Sequence, residues 1–294
     1  MAEALRAAAQ RLAATSDTAR LDAEVLMAHA LDVSRSELLL RRQGEAVPPS
    51  FDALVERRAL HEPVAYITGR QEFYGLDLEV SPAVLIPRAD SETLIDAARE
   101  TLAGRAAPRR VLDLGTGSGA LLLAALTVWP GAQGVGIERD PRACAVALRN
   151  AGRVGVNASR PAGAAGPGGR ARFIQRDWTQ PGWSAELGRF DLILANPPYV
   201  ESNSDLAPSV HAFEPAGALF AGADGLDDYR TLLPQLAKLL AADGRAVLEI
   251  GATQAEAVSA LAGHAGFLTQ IRNDLAGRSR AAILAIRTWQ SPGE

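Results

Sequence analysis

The sequence predicts an α/β protein: a mostly parallel sheet covered by helices on both faces, preceded by a small helical block and a β-hairpin. Three observations carry that reading. Beyond residue 109, the apolar runs RVLDLG, GVGIER, RFIQRD, FDLILAN, RAVLEIG and RAAILAIR are mostly separated by the helical stretches ALLLAALTVW, PRACAVALRNA, LDDYRTLLPQLAKLLAA and TQAEAVSALAGH. Continuous apolar strands between helices belong to parallel sheets buried on both sides. Residues 1–68 show helical periodicity only, and GRQEFYGLDLEVSPAVLIPR (69–88) alternates Phe73, Leu76, Leu78 and Val80 around Gly75, the period of a hairpin. The expected organisation is therefore a helical domain at 1–68, a hairpin linker at 69–88 and an α/β domain at 89–294.

In the helical block, LDAEVLMAHAL places Leu21, Val25, Leu26 and Leu31 at helical spacing. SRSELLLRR opens on Ser34 with Glu37 three positions on, a capping box, and SFDALVERRAL starts at Ser50 with Phe51, Leu54 and Val55 on one face. Helices this short do not stand alone in water, so they must pack on one another. The opening MAEALRAAAQRLAATS reads as a first amphipathic helix rather than a presequence, because Glu3 and Asp17 interrupt its basic character. ASRPAGAAGPGGRAR (158–172) has no periodicity and is crowded with Gly and Pro, which predicts a mobile loop before the third strand of the sheet.

Composition narrows the chemistry. A formal net charge of −4 argues against a duplex nucleic-acid partner, which calls for a basic face. The single cysteine, Cys144, excludes an intrachain disulfide and suits the cytoplasm. His29, His61, His211 and His264 lie far apart without metal-ligand spacing, so no metal site is expected. No apolar run approaches the ~20 residues of a membrane span, and no membrane association is expected.

Open α/β sheets bind ligands beyond the carboxyl ends of their strands, and four such ends carry chemistry, the first three of one kind. The first strand of the sheet runs into DLGTGSGALLL, where Asp113 precedes Gly115, Thr116, Gly117, Ser118 and Gly119 and a helix opens at once. Glycines there let the backbone turn tightly and approach a ligand at a positive helix N-terminus. Taken alone, this turn would also serve a dinucleotide or be a mere tight turn. The spacing is G-x-G-x-G, however, and the acidic Asp113 suits an amine better than a phosphate. Glu138 ends the second strand about 20 residues on, where a carboxylate grips ribose hydroxyls. Asp177 and Trp178 end the third, a carboxylate for an adenine amino group and an indole to cover the ring. Ribose, adenine and an amino-acid tail without phosphate describe S-adenosyl-L-methionine.

The fourth strand ends in Asn196-Pro197-Pro198-Tyr199. Proline cannot donate to a sheet ladder, so the strand stops there, and the residue before a proline is pushed to extended geometry. The result is a stiff shelf with two spare acceptors, the Asn196 amide oxygen and the Pro197 carbonyl.

With DLGTGSG, GIE, RDW and FDLILANPPY in this order, the chain resembles the class I S-adenosylmethionine-dependent methyltransferases, whose fold is Rossmann-like with a mostly parallel seven-stranded sheet. EPVAYITGRQEFYGLDLEVSPAVLIPRADSE (62–92), FEPAGALFAGADGLDDYR (213–230), LEIGATQAEAV (248–258) and DLAGRSRAAILA (274–285) are similar to the HemK/PrmC family, and the resemblance covers nearly the whole chain. It implies a protein-(glutamine-N5) methyltransferase that modifies the Gly-Gly-Gln glutamine of class 1 peptide chain release factors and leaves S-adenosyl-L-homocysteine. It also implies a helical N-terminal domain that helps dock the release factor. Carried onto this sequence, the cofactor residues are Gly115 to Gly119, Glu138, Trp178 and Asn196. The substrate pocket is Asn196, Pro197, Pro198 and Tyr199, with Asn196, Pro197 and Tyr199 as the catalytic group. Arg88, Glu92 and Glu214 lie in family-like stretches and are expected near the pocket mouth. Three departures stand out: Ala89 where the family commonly has proline, Glu138 for the commoner Asp, and the Gly/Pro-rich insertion at 158–172.

Other substrates share the tetrad. An N6-adenine methyltransferase grips a flipped base with it, but no basic, aromatic-interleaved surface is visible. Sister enzymes methylate a glutamine of a ribosomal protein, and the N-terminal block would choose between the two. A binding protein without turnover would not need the intact glycines, Glu138 and NPPY together.

Overall fold

The structure, a computed structural model, describes residues 1–159 and 169–287. Most of the segment expected to be a mobile loop lies outside them. At its edge Ala158–Ser159 forms a two-residue strand paired with Ala171 and Arg172. The chain divides into two compact units: residues 1–70, 80–82 and 205–214, and residues 71–79, 83–204 and 215–294.

The first unit holds α1 (Ala2–Leu12), α2 (Ala19–Ala30), α3 (Arg35–Arg41), α4 (Phe51–Ala59) and α5 (Val64–Thr68), joined by the later short helix Pro208–Phe213. Leu12, Leu26, Met27, Leu38, Phe51 and Val55 form its core. Ser34 caps α3 by accepting the Glu37 amide hydrogen at 3.1 Å, a contact of about 1 kcal/mol. The reciprocal half of the capping box is replaced, since Glu37 pairs with Arg42 at 2.6 Å instead.

Leu21 departs from the expected pattern. It is exposed, while Asp22 and Glu24 of the same helix are buried. Asp22 meets Arg58 at 2.7 Å and accepts from Ser16 and Thr18. Glu24 meets Arg20 at 3.0 Å and Arg35 at 2.7 Å. A buried carboxylate is tolerated when paired and hydrogen-bonded in this way, and one partner of each, Arg58 for Asp22 and Arg35 for Glu24, comes from another helix that periodicity does not connect.

In the hairpin, β1 (Arg70–Phe73) pairs with β2 (Leu76–Glu79). Tyr74 and Gly75 both take positive φ, 51° and 76°, the combination a tight two-residue hairpin turn demands. The strained Tyr74 is held at both ends. Its amide hydrogen goes to Glu92 Oε1 at 2.8 Å and its hydroxyl to Asp96 Oδ1 at 3.0 Å. Asn150, completely buried, joins β2 to the glycine loop: its amide nitrogen donates to the carbonyls of Glu79 and Ser118, each at 2.9 Å.

Among the described residues, the second unit is built on an eight-stranded sheet. In chain order its elements are α6 (Glu92–Thr101), β3 (Arg110–Leu114), α7 (Ala120–Val128), β4 (Gln133–Glu138), α8 (Pro141–Arg153), β5 (Ala158–Ser159), β6 (Ala171–Gln175) and β7 (Phe190–Ala195). After the helix Pro208–Phe213, which is α9, come α10 (Asp227–Leu239), β8 (Leu240–Glu249), α11 (Ala255–His264), β9 (Phe267–Asn273) and β10 (Ser279–Ile286). The spatial order is β5-β6-β4-β3-β7-β8-β10-β9. Strands β5 to β8 run parallel, and β10 lies antiparallel to both β8 and β9.

Alternate residues separate the two cores, as a period of two requires. Val111, Leu192, Leu194 and Val247 pack against α6, α7 and α8, while Leu112, Leu114, Ile193 and Leu248 pack against α10 and α11. The six central strands and four helices lie where the sequence pattern puts them. Strand β9 was not expected as a separate strand: FLTQIRN is an edge strand whose exposed Leu268 and polar positions blur the alternation.

Candidate active site

Register brings three of the four chemically interesting strand ends together. Leu114 of β3 stands between Ile137 of β4 and Ala195 of β7. The next residues along the three strands, Gly115, Glu138 and Asn196, therefore emerge side by side where strand order reverses between β3 and β7. The amides of Gly115 and Thr116 both donate to the Ile137 carbonyl, at 2.9 and 3.0 Å, which folds the glycine loop back over β4.

Above these ends lies a cavity of ≈ 440 Å³, lined only by the second unit. Its floor is Gly115, Thr116, Gly117 and Ser118, with Glu138, Asp177, Trp178, Asn196 and Pro198 around it. Ser91 and the 83–87 segment form another wall, and Pro215–Ala218 a third. Arg139 reaches across to donate to the Gly217 carbonyl at 2.5 Å. The resemblance points to these stretches through Arg88, Glu92 and Glu214, but the residues that line the cavity there carry no periodicity or motif spacing of their own.

Glu138 is positioned by backbone donors. One oxygen accepts the Gly117 amide hydrogen at 3.0 Å, and the other accepts those of Arg139 and Asp140 at 2.8 and 3.0 Å. Trp178 is held by its indole N–H, which donates to Asp228 Oδ1 at 3.0 Å. Burial pushes the Asp228 carboxyl up, and the indole hydrogen bond opposes that rise. A β-carbon placed on Gly115, whose φ is +72°, would stand 3.1 Å from the Trp178 ring. The glycine thus gives both the left-handed turn and the close approach of the indole. Asp177 spends Oδ1 locally, accepting from the Thr179 amide and hydroxyl at 2.8 and 2.7 Å.

The remaining residues lie off the lining. Asp113 is buried beneath the loop, where Oδ2 accepts from the Thr116 hydroxyl at 2.6 Å and Oδ1 has no partner among the described residues. Burial raises its carboxyl to about 7. Gly119 packs against Leu123 and Ala147 at the start of α7. Pro197 is buried, and the Tyr199 phenol donates to Glu249 Oε1 at 3.0 Å rather than facing the cavity. Burial raises the Tyr199 phenol first, and the Glu249 charge adds to it, with Arg280 and Arg88 acting against. Glu92 secures the hairpin turn through Tyr74, as described. Glu214 is buried within the first unit, outside the cavity lining.

Among the described residues, no three His, Cys, Asp or Glu side chains gather as metal ligands, and no helix is long and apolar enough to cross a membrane.

Two family models match: the PrmC N-terminal domain over residues 3–69 and the methyltransferase small domain over residues 90–224. The release factor glutamine methyltransferase of Rhodospirillum rubrum is 40% identical over 93% of this chain and 80% of its own length. That of Xylella fastidiosa strain 9a5c is 40% identical over 92% of this chain and 94% of its own. The chain belongs to the release factor glutamine methyltransferase family. Among solved structures, the Thermus thermophilus 16S rRNA N2 G1207 methyltransferase, in complex with AdoMet and guanosine, is similar with a TM-score of 0.49. It is 19% identical over 74% of this chain and 50% of that one. In this family member the glycine loop, Glu138 and the NPPY shelf all converge on one end of the sheet.

Proposed function

We infer that the chain transfers the methyl group of S-adenosyl-L-methionine to the side-chain amide nitrogen of a glutamine. The substrate is the Gly-Gly-Gln loop of a class 1 release factor, and the reaction takes place in the cytoplasm. One observation carries the reading of the site: register places Asn196 next to Gly115, and both line a single cavity.

The residues fit the methyl donor. The Gly115–Ser118 backbone would take its amino-acid end, the Glu138 carboxylate its ribose hydroxyls, and Asp177 and Trp178 its adenine. Glu138 Oε1 already accepts two backbone bonds, while Oε2 accepts one and keeps a lone pair for a ribose hydroxyl. When bound, the donor supplies an electrophilic methyl on a sulfonium sulfur.

A glutamine amide is a poor nucleophile, because its nitrogen lone pair is delocalised into the carbonyl. The Asn196 side-chain oxygen and the Pro197 carbonyl would accept its two N–H bonds and hold the nitrogen in one orientation. The prolines fix that pair of acceptors in advance, so little entropy is lost on binding. As positive charge develops on nitrogen, the same acceptors bind it more strongly, which stabilises the transition state. No general base is required at that moment, and the surplus proton passes to water after transfer. The formal charge of −4 and the absence of a basic stripe in the sequence support a protein rather than a nucleic-acid substrate.

The test is incubation with labelled S-adenosyl-L-methionine and a purified class 1 release factor, followed by peptide mapping. A methyl on the Gly-Gly-Gln glutamine, absent with Asn196→Ala, is the expected result. Label in a ribosomal protein or in nucleic acid instead would overturn the substrate assignment.

A further inference from the structure

Glu249 ends β8 as one of the most deeply buried charged groups in the second unit, only 1% exposed. Its Oε1 accepts from the Tyr199 phenol at 3.0 Å, and Oε2 has no hydrogen-bond partner of normal geometry among the described residues. The backbone at the same point is pinned separately, because the fully buried Tyr229 hydroxyl donates to the Glu249 carbonyl at 2.6 Å. A carboxylate kept in an apolar core with one strong partner is costly, and an aliphatic side chain would serve packing better. Burial pushes the Glu249 carboxyl up, while the Ser91 and Tyr199 hydroxyls and the Arg280 guanidinium oppose that.

Five residues on, Gln254 reaches the other end of the same tyrosine. Its Nε2 donates to the Tyr199 carbonyl at 3.0 Å and to the Gly225 carbonyl at 3.2 Å, and its Oε1 accepts the Gly251 amide hydrogen at 3.0 Å. The β8–α11 connection thus grips Tyr199 by both phenol and backbone. Tyr199 in turn ends the Asn196-Pro197-Pro198 shelf, so its position sets where the two shelf acceptors stand.

We propose that Glu249 and Gln254 are positioning residues that hold the NPPY shelf rigid through Tyr199. This rests on reading that shelf as the substrate amide's seat. Neither side chain lines the cavity, so neither is expected to touch methyl donor or glutamine. Their effect belongs to turnover rather than to cofactor binding.

The experiment compares Glu249→Leu, Glu249→Gln, Gln254→Ala, Tyr199→Phe and the Tyr199→Phe/Glu249→Leu double variant, each in the full chain. Glu249→Leu should lower kcat about tenfold while the release factor KM and the cofactor Kd stay within about twofold, the pattern of a lost orienting contact. Glu249→Gln, which keeps an acceptor for the phenol, should return to within about threefold of wild type, and Gln254→Ala should lose about threefold. Because Tyr199 and Glu249 act as one unit, the double variant should be no worse than the poorer single variant within about twofold. A second readout needs no turnover: with ¹³Cζ-labelled tyrosine, the Tyr199 resonance, identified by its loss in Tyr199→Phe, should move more in Glu249→Leu than those of Tyr66 and Tyr74. Multiplying losses in the double variant, a parallel fall in cofactor affinity, or an unmoved Tyr199 resonance would each overturn the proposal. Should Glu249→Leu not fold, the split between Glu249→Gln and Gln254→Ala, with wild-type cofactor affinity in both, decides it. If the wild-type chain methylates no glutamine, the functional reading fails, and the resonance shift alone decides whether Glu249 holds Tyr199.

Discussion

The Glu138 carboxylate accepts the Gly117 amide hydrogen at 3.0 Å, and through that bond the end of β4 holds the glycine loop at the end of β3. The same carboxylate is the proposed ribose ligand, so its loss has two consequences. Glu138→Ala should weaken S-adenosyl-L-methionine binding by at least about tenfold, the scale of a charged hydrogen bond. Isothermal titration of the purified variant measures this, and unchanged affinity would remove Glu138 from the cofactor site.

Asn196→Ala separates turnover from binding. It should lower kcat by more than about tenfold and leave cofactor affinity within a few-fold, as for a contact made mainly in the transition state. Single-turnover methylation alongside direct binding gives both quantities. An equal fall in cofactor affinity would mean that Asn196 chiefly holds the donor.

Gly115 has φ +72° and would place a β-carbon 3.1 Å from Trp178. Gly115→Ala should therefore cost about 1–2 kcal/mol in stability from backbone strain alone. It should also displace the indole, with a loss of cofactor affinity. Urea unfolding with and without the cofactor distinguishes the two effects, and a variant as stable as wild type would contradict the backbone argument.

Asp113 makes stability depend on pH. Burial lifts its carboxyl from 3.8 to about 7, against the pull of the Thr116 hydrogen bond. The folded chain therefore keeps this proton where the unfolded chain has released it. The associated stability is fully present below about 3.8 and is lost as pH rises through about 7. Calorimetric Tm values for wild type and Asp113→Asn should show wild type losing ground to the variant between about pH 4 and 7, and no further above that. A difference independent of pH would show that the group does not titrate there.

The central strands and helices were legible because each is a continuous run with one dominant period, and Ser34 and Gly75 marked their local turns correctly. What escaped reading was decided by partners distant in sequence. Leu21 faces solvent because Arg58, 36 residues from Asp22, stabilises the carboxylate next to it in the interior. Asn150 joins hairpin to glycine loop, reaching back 71 residues to Glu79 and 32 to Ser118. The cavity walls from Ser91 and from Pro215–Ala218 carry no spacing that points to a ligand.

By itself, the sequence determined the chemistry on offer: glycines that can turn, a carboxylate at a strand end, and two prolines that stop a strand beside an amide. These are local properties of side chain and backbone, and they survive in any reading frame of the fold. Only the tertiary structure decided which of them share a cavity, because register between β3, β4 and β7 is a property of three strands at once. It also turned the Tyr199 phenol away from the cavity and onto Glu249, since a buried carboxylate and a buried hydroxyl each need a partner that only packing can supply.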